Sequence, residues 1–204
     1  MDEQGPDPRF TALYDGVVTN NADPKRLGRV KVRVPGMIEP ESAWAIPVGG
    51  SGGGSNTRGF FFVPEVGAEV AVFFKQGDVD FPRYMPSAWG NTKGVPDSPT
   101  FVINDIETGE SLLPEDTVKV KGIQTRSWNI ILDDRDGKEI LKIMDRNPNP
   151  NSRGVIIELD GVSKGVRIAG TSAIMVECDG VINIEAGLGL FLNKRKVRRG
   201  GGEI

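Results

Sequence analysis

Histidine is absent from the 204-residue sequence, and cysteine occurs only once. Without histidine there can be no serine–histidine–aspartate or cysteine–histidine triad, no HExxH zinc site and no acid–base catalysis by imidazole. A single cysteine, Cys178, excludes an internal disulfide, and its place in the apolar run AIMVEC predicts a small buried side chain. Catalysis by carboxylate, lysine or tyrosine side chains stays open, but the commonest enzyme designs are excluded, and we expect no enzymatic activity, no cofactor and no bound metal ion.

The sequence also lacks long apolar runs and an excess of positive charge. No apolar stretch approaches the ~18 residues of a membrane-spanning helix, and no basic and apolar signal peptide opens the chain, so we expect synthesis in a cytoplasm. The net charge of −3 argues against non-specific binding to nucleic acid. Glycine and proline are abundant, with 27 and 14 residues, which favours an all-β fold of many short strands joined by turns.

The first ninety residues contain a series of strand patterns and no convincing amphipathic helix. In GRVKVRV, the three valines Val30, Val32 and Val34 alternate with basic residues, as the two faces of a half-buried strand require. The predicted strands lie at 10–21, 28–34, 42–49, on both sides of a turn in 59–74, and within 75–90. These strands predict a small, closed or nearly closed barrel over residues 10–90, preceded by a polar arm over residues 1–9.

Three consecutive phenylalanines, Phe60, Phe61 and Phe62, open the predicted hairpin GFFFVPEVGAEVAVFF. Neighbouring side chains of a strand point to opposite sides, so at least one of these rings must face away from the barrel core. Such a ring is either exposed without a role or packed against a neighbouring subunit. The sequence leaves both interpretations open.

From Trp128 onward, short alternating segments recur with turns between them: SWNIILDD, KEILKIMD, RGVIIELD, KGVRIAG, AIMVECDG and VINIEAG. Alternate positions place apolar side chains on one face and mostly polar ones on the other. The apolar face comprises Trp128, Ile130, Leu132, Leu141, Ile143, Val155, Ile157, Leu159, Val166, Ile168, Ile174, Val176, Ile182 and Ile184. The repeat predicts a shaft over residues 128–193, preceded by a connector over 91–127 with one short strand, TVKVK, and followed by a basic, glycine-rich tail over 194–204.

A single copy of this shaft would be a narrow sheet with an apolar face and two open edges, which is an unstable and sticky arrangement. Several copies remove both problems if they turn their apolar faces toward a common axis and pair their edges with one another. The sequence therefore predicts a homo-oligomer with an intertwined C-terminal β-prism. The alternative is an ordinary monomeric β-sandwich.

Two strings in the first part resemble a known family. DGVVTNNADPKRLGRVKVRVPG and GFFFVPEVGAEVAVFFKQGDVDFP are similar to the N-terminal OB-fold module of contractile-tail spikes, which include phage baseplate assembly protein V and the VgrG proteins of type VI secretion. The resemblance implies an OB-fold barrel followed by a trimeric β-helical needle. It also implies a homotrimer in the virion tail baseplate that binds the hub at the end of the tail tube and contacts the host envelope transiently. A type VI secretion or tailocin-like spike is the alternative within this class.

The chain departs from the family pattern at two places. Residues 91–127 are too few for the lysozyme domain that some members carry, and the absence of histidine excludes the iron-binding HxH apex of others. The resemblance therefore implies a separate tip protein at the C-terminal end. Its predicted contact is the basic cluster Lys194, Arg195, Lys196, Arg198 and Arg199, for which a solvated end or a contact with phosphate groups is the alternative.

The sequence also contains residues typical of two other kinds of site. OB folds often bind single-stranded nucleic acid, and a basic stripe is present at Lys25, Arg26, Arg29, Lys31 and Arg33, but strict alternation explains it as the outer face of one strand. The acidic groups at Asp133, Asp134 and Asp136, at Asp78 and Asp80, and at Glu115 and Asp116 could hold calcium. For these acidic groups, ordinary turn chemistry is the preferred explanation. For the basic stripe, the outer face of a strand is preferred, and we expect no nucleic acid as a partner.

Overall fold

The computed structural model describes residues 10–49, 59–86, 89–92, 94–146, 154–184, 191–192 and 195–196. The predicted arm over residues 1–9, most of the glycine-rich stretch at 49–59 and most of the basic tail lie outside this part. The chain divides into two compact units, Met1–Ser98 and Pro99–Ile204. The fold is mainly β with a few helical turns, and no helix in the described part is long and apolar enough to cross a membrane.

The first unit is a five-stranded barrel. Its strands are β1 (Tyr14–Asn20), β2 (Lys31–Arg33), β3 (Ile46–Pro47), β4 (Glu69–Phe74) and β5 (Pro82–Pro86), with a 3-10 turn at Lys75–Gly77 and a short ladder of β6 (Asn91–Thr92) and β7 (Val95–Pro96) after them. The sheet order is β2-β1-β4-β5-β3, and only β3 and β5 run parallel. A bridge between Val30 and Ala45 joins the two ends of this order and closes the barrel.

The barrel core follows the predicted alternation. Val30, Val32 and Val34 are buried, and the basic residues between them lie on the outer face. Burying one such aliphatic side chain contributes roughly 1.5–3 kcal/mol, so the cluster is sufficient to hold a barrel of this size. The core comprises Val18, Val30, Val32, Val34, Ala45, Val70, Val72, Phe74 and Tyr84.

The predicted hairpin in 59–74 is only half correct. Its second strand is β4, but residues 60–65 form neither helix nor strand. One edge of β1 pairs with β2 and the other pairs with β4, and Gly67 and Ala68 extend that second pairing through hydrogen bonds with Val18 of 2.8 and 2.9 Å. Residues 60–63 therefore find no free strand edge beside β1.

The second unit contains a five-stranded antiparallel meander in the order β12-β11-β10-β9-β8. Its elements are α1 (Thr100–Ile103), α2 (Pro114–Thr117), β8 (Val120–Gln124), β9 (Trp128–Asp133), β10 (Ile140–Asp145), β11 (Ile156–Asp160) and β12 (Gly165–Ala169), and a ladder of β13 (Phe191–Leu192) and β14 (Arg195–Lys196) follows. Each strand of the meander pairs with the next one along the chain. The four predicted strand segments from SWNIILDD to KGVRIAG correspond to β9–β12.

Residues 99–119, which we call the covering segment, pack on one face of the meander. Phe101 from α1 is buried against Val120 and Ile131, and Val102, Ile106, Leu112 and Met144 pack around them. The sequence predicted residues 91–127 as a connector with one short strand at TVKVK. In the structure the strand of this region is β8, which begins three residues later than predicted because Thr117 ends α2, and from Pro99 onward these residues belong to the second unit.

The last two predicted strand segments, AIMVECDG and VINIEAG, form no strand in the residues of them that the structure describes. Between Gly170 and Ile184 the structure shows no strand. The side chain of Cys178, predicted to be buried, is exposed there. No strand of the described part pairs with this stretch, and its alternating apolar side chains are exposed.

Candidate functional site

The face of the meander opposite the covering segment carries a continuous apolar surface. Strand registers place Ile130, Ile143, Ile157 and Ile168 directly beside one another across β9–β12. A second row beside it consists of Leu132, Leu141, Leu159 and Val166. Cross-strand pairs of branched apolar residues stabilise a sheet, but their outer surface needs a partner to exclude water. We call this surface the apolar face.

The apolar face lies open in the single chain. The exposed fraction of its side chains reaches 70% at Val166 and is still 36% at Ile130, while Leu141 and Ile143 on the middle strand are half-buried. The exposed apolar area is on the order of 700 Å², which exceeds what monomeric proteins commonly leave in one patch. The exposed predicted core residues are Trp128, Ile130, Leu132, Val155, Ile157, Leu159, Val166, Ile168, Ile174, Val176, Ile182 and Ile184.

The structure thus brings ten of the predicted core residues together around one sheet face. The other four, Ile174, Val176, Ile182 and Ile184, lie in the stretch without strands and are exposed there. Their packing around a common axis stays a prediction.

A buried ionic network holds the covering segment to the meander, on the side that lies opposite the apolar face. Arg135, in the turn after β9, donates hydrogen bonds to Asp133 at 2.9 Å and to Asp105 at 2.9 Å. Lys138 reaches the same Asp105 oxygen at 2.9 Å, and the amides of Glu107 and Thr108 bind its other oxygen. The covering segment is thereby held to the turn between β9 and β10.

The network changes the acid–base behaviour of its members. Burial raises the pKa of the Asp105 carboxyl, but hydrogen bonds from Lys138, from two backbone amides and from Arg135 outweigh it and hold that pKa well below its usual range. The pKa of Arg135 is raised, mainly by its hydrogen bond to Asp133. Beside the network lies a cavity of about 260 Å³. The lowered pKa of Asp105 and the raised pKa of Arg135 keep both side chains charged at neutral pH.

A fourth buried charge, that of Lys142 in β10, lies among acids on the same covered face. Its ammonium lies 3.1 Å from Glu158 of β11 and 3.3 Å from Glu107 of the covering segment. The sequence placed Lys142 and Glu158 on the polar side of the repeat, which agrees with the register. It did not indicate that a second segment would bury them.

The structure supports turn chemistry at two of the three acidic groups that could hold calcium. Asp133 is paired with Arg135, and Gly137 has the positive φ of 74° that the turn requires. Asp78 binds the amide of Asp80, as in an ordinary Asx turn. In the part of the chain that the structure describes, no group of three or more ligating residues is arranged to hold a metal ion.

Three of the five residues of the basic stripe, Arg29, Lys31 and Arg33, are paired with neighbouring acids. Arg29 pairs with Asp23 at 2.5 Å, and the hydrogen bond from Arg29 is the main reason that the pKa of Asp23 lies well below its usual range. Two further pairs join Lys31 to Glu41 at 2.5 Å and Arg33 to Glu39 at 3.4 Å. Arg29 and Lys31 also lie 5.5 and 5.6 Å from the centre of the Trp44 ring. Charges that are already paired in this way offer little to a phosphate backbone.

The sequence of the barrel matches one family. Residues 14–89 match the family described as the type VI secretion system/phage-baseplate injector OB domain. Residues 14–89 form an injector OB domain. The resemblance carried by the two quoted strings is thereby confirmed for this part of the chain. A search of curated proteins finds no match to the chain.

In the injector OB domain, all three consecutive phenylalanines are exposed, with exposed fractions of 69%, 66% and 50% at Phe60, Phe61 and Phe62. The strand argument required at least one outward ring. In the structure all three rings are exposed, because this stretch is not a strand and lies outside the barrel core.

The predicted tip contact falls at the end of the chain. Arg195 and Lys196 form β14, which pairs with Phe191 and Leu192. Their side chains, and the residues Lys194, Arg198 and Arg199, lie outside the described part of the chain. The tip contact stays a prediction.

Proposed function

We propose that the chain is the central spike of a phage contractile-tail baseplate, built as a homotrimer. The injector OB domain binds the hub at the end of the tail tube, and the C-terminal part forms an intertwined β-helical needle. The chain has a structural role rather than an enzymatic one and belongs to the virion tail. The spike of a type VI secretion or tailocin-like system is the alternative within the same class, and gene neighbourhood distinguishes them.

The observation that carries this proposal is the apolar face. Its exposed area of roughly 700 Å² is close to the ~800 Å² that each partner contributes to a stable protein–protein interface. Burying it gains roughly 17 kcal/mol per copy at ~25 cal/mol per Å² before the cost of association. A face made of straight rows of isoleucine and leucine fits another sheet face of the same kind.

The stretch between Gly170 and Ile184 supports the intertwined arrangement. Its apolar residues continue the alternation of the meander, yet this stretch forms no strand within one chain. Strands contributed by neighbouring copies would satisfy its backbone and cover its side chains. The number three comes from the resemblance to the spike family, because two copies facing each other would also cover the apolar face.

The proposed mechanism is mechanical. Sheath contraction pushes the tube and the spike forward, and the needle transmits force because strands of different copies are hydrogen-bonded around a water-free core. A separate tip protein binds the C-terminal end through the basic cluster at 194–199 and meets the host envelope first.

Measurement of the mass in solution tests the proposal directly. Three chains of 22.0 kDa give 66 kDa by light scattering or sedimentation equilibrium. A well-folded species of 22 kDa at micromolar concentration would contradict the spike, and a species of 44 kDa would contradict the threefold needle. An OB-fold nucleic-acid binder, the alternative from another class, predicts salt-dependent retention on single-stranded DNA instead.

A further inference from the structure

The injector OB domain carries a second exposed apolar surface, at the end of the barrel where β1 stops. It consists of Leu27 and residues 60–62, and we call it the aromatic patch. Leu27 is exposed to 59%, and the three phenylalanines to between 50% and 69%. Large apolar side chains grouped in this way mark an interaction surface more often than isolated ones do.

The aromatic patch rests on a well-fixed support. The ring of Phe61 lies so close to Gly28 that a Cβ there would be 3.2 Å from it. The carbonyl of Gly28 accepts a hydrogen bond of 2.7 Å from the buried hydroxyl of Tyr84. Asp23 accepts hydrogen bonds from the amides of Leu27 and Arg29. Because its support is already fixed, the patch loses little entropy when a partner covers it.

The size of the aromatic patch limits what can bind there. The three rings expose roughly 370 Å² together, at ~200 Å² for a whole aromatic side chain. A free partner needs about 800 Å² on each side for a stable complex. The patch is therefore too small to hold a separate protein by itself, but it is sufficient for a copy that is already joined elsewhere and is present at a high effective concentration.

The charges around the aromatic patch are complementary to one another. Lys25 and Arg26 precede Leu27 in the turn on one flank, and Glu65 follows the phenylalanines on the other. All three are exposed, and none of them forms an ion pair within the described part of the chain. A cyclic trimer uses two different surfaces of each copy, head to tail, and opposite charges on the two flanks suit that contact.

We propose that the aromatic patch packs against the injector OB domain of the next copy of the chain, in a head-to-tail ring of three. Glu65 of each copy then lies beside Lys25 and Arg26 of its neighbour. The ring rests on the proposed trimer but is a separate contact from the apolar face, and it keeps the three barrels together at the end that receives the hub.

Paired cysteines in the full-length chain test the ring. With Cys178→Ala removing the natural thiol, Arg26→Cys and Glu65→Cys are combined in one chain and treated with a short bifunctional maleimide. The head-to-tail contact predicts covalent dimers and covalent trimers on a denaturing gel. The matched control combines Leu13→Cys with Glu65→Cys, because Leu13 is as exposed as Phe61 but precedes β1. This control is expected to give single chains only.

A second set of variants tests whether the aromatic rings hold the contact. In the Arg26→Cys and Glu65→Cys background, Phe61→Ser is expected to slow cross-linking about tenfold or more, as loss of a central aromatic anchor does. The mass of each variant is measured before cross-linking. A mass of 22 kDa overturns the proposed trimer, whereas a 66 kDa species without cross-links overturns the ring alone and leaves the patch to another partner.

Discussion

The substitution Ile157→Asp tests the apolar face at its centre. Ile157 lies in β11 between Ile143 and Ile168, and 39% of its side chain is exposed in the single chain. Aspartate can point its carboxylate into water there, so a lone chain should fold almost as well as the wild type. In the proposed trimer the same position faces the other copies.

The expected effect on assembly is large. Each copy loses about 1 kcal/mol of apolar burial, which is the share of an isoleucine's ~1.5–3 kcal/mol that the single chain leaves exposed. Each buried, unpaired carboxylate adds a penalty of several kcal/mol. Three copies bring the total to about 12 kcal/mol, which weakens association by more than eight orders of magnitude at 1.4 kcal/mol per tenfold. Trimers should be undetectable at micromolar concentration.

Sedimentation velocity provides the assay, with circular dichroism to show that each chain is folded. Val162→Asp is the matched control, because Val162 is an exposed valine in the turn between β11 and β12 and lies off the apolar face. Ile184→Asp extends the test to the stretch without strands. If Ile157→Asp sediments like the wild-type trimer, the inward direction assigned to this face is wrong.

Three further outcomes follow from the described contacts. Asp105→Asn should destabilise the second unit by about 3 kcal/mol in urea unfolding at pH 7, because Arg135 and Lys138 lose their shared carboxylate. The pKa of Asp105 is lowered in the folded state, so the stability that its carboxylate contributes is complete above pH ~4 and is lost as the pH falls further. The variant lacks this carboxylate and should therefore lose less stability in acid than the wild type does. Gly16→Ala should cost about 1–3 kcal/mol of barrel stability, since its Cβ would lie 2.6 Å from the side chain of Val72. The chain should pass through single-stranded DNA resin at low salt without retention, because Arg29, Lys31 and Arg33 of the basic stripe are ion-paired and the net charge is negative, and salt-dependent retention would refute this reasoning.

The parts of the fold that depend on local alternation could be predicted from the sequence. Val30, Val32 and Val34 are buried as predicted. The face shared by Ile130, Ile143, Ile157 and Ile168 follows from the same period of two, because an antiparallel meander keeps its register through short turns. Alternation of apolar residues does not identify a family. The resemblance to the OB family came from the two motif strings.

The parts that depend on distant contacts could not be predicted. The covering segment is anchored by Asp105 and Arg135, which are 30 residues apart, and nothing in the local pattern of either shows that they meet. Arg135 lies in the string DDRDG, where a lone arginine among three acids was a signal for a buried pair. The prediction of a strand at the three phenylalanines was wrong, because strand propensity does not show whether a free sheet edge exists.

The antiparallel meander of the second unit has a consequence for how such a molecule can change in size. Removing or inserting a single strand would reverse the direction in which the rest of the chain leaves the sheet, while a pair of strands with their turns would restore it. Because neighbouring strands lie ~4.8 Å apart, the sheet can lengthen or shorten only in steps of about 10 Å. The length of the sheet thus changes in whole hairpins, and such a change leaves the barrel of the first unit unaltered.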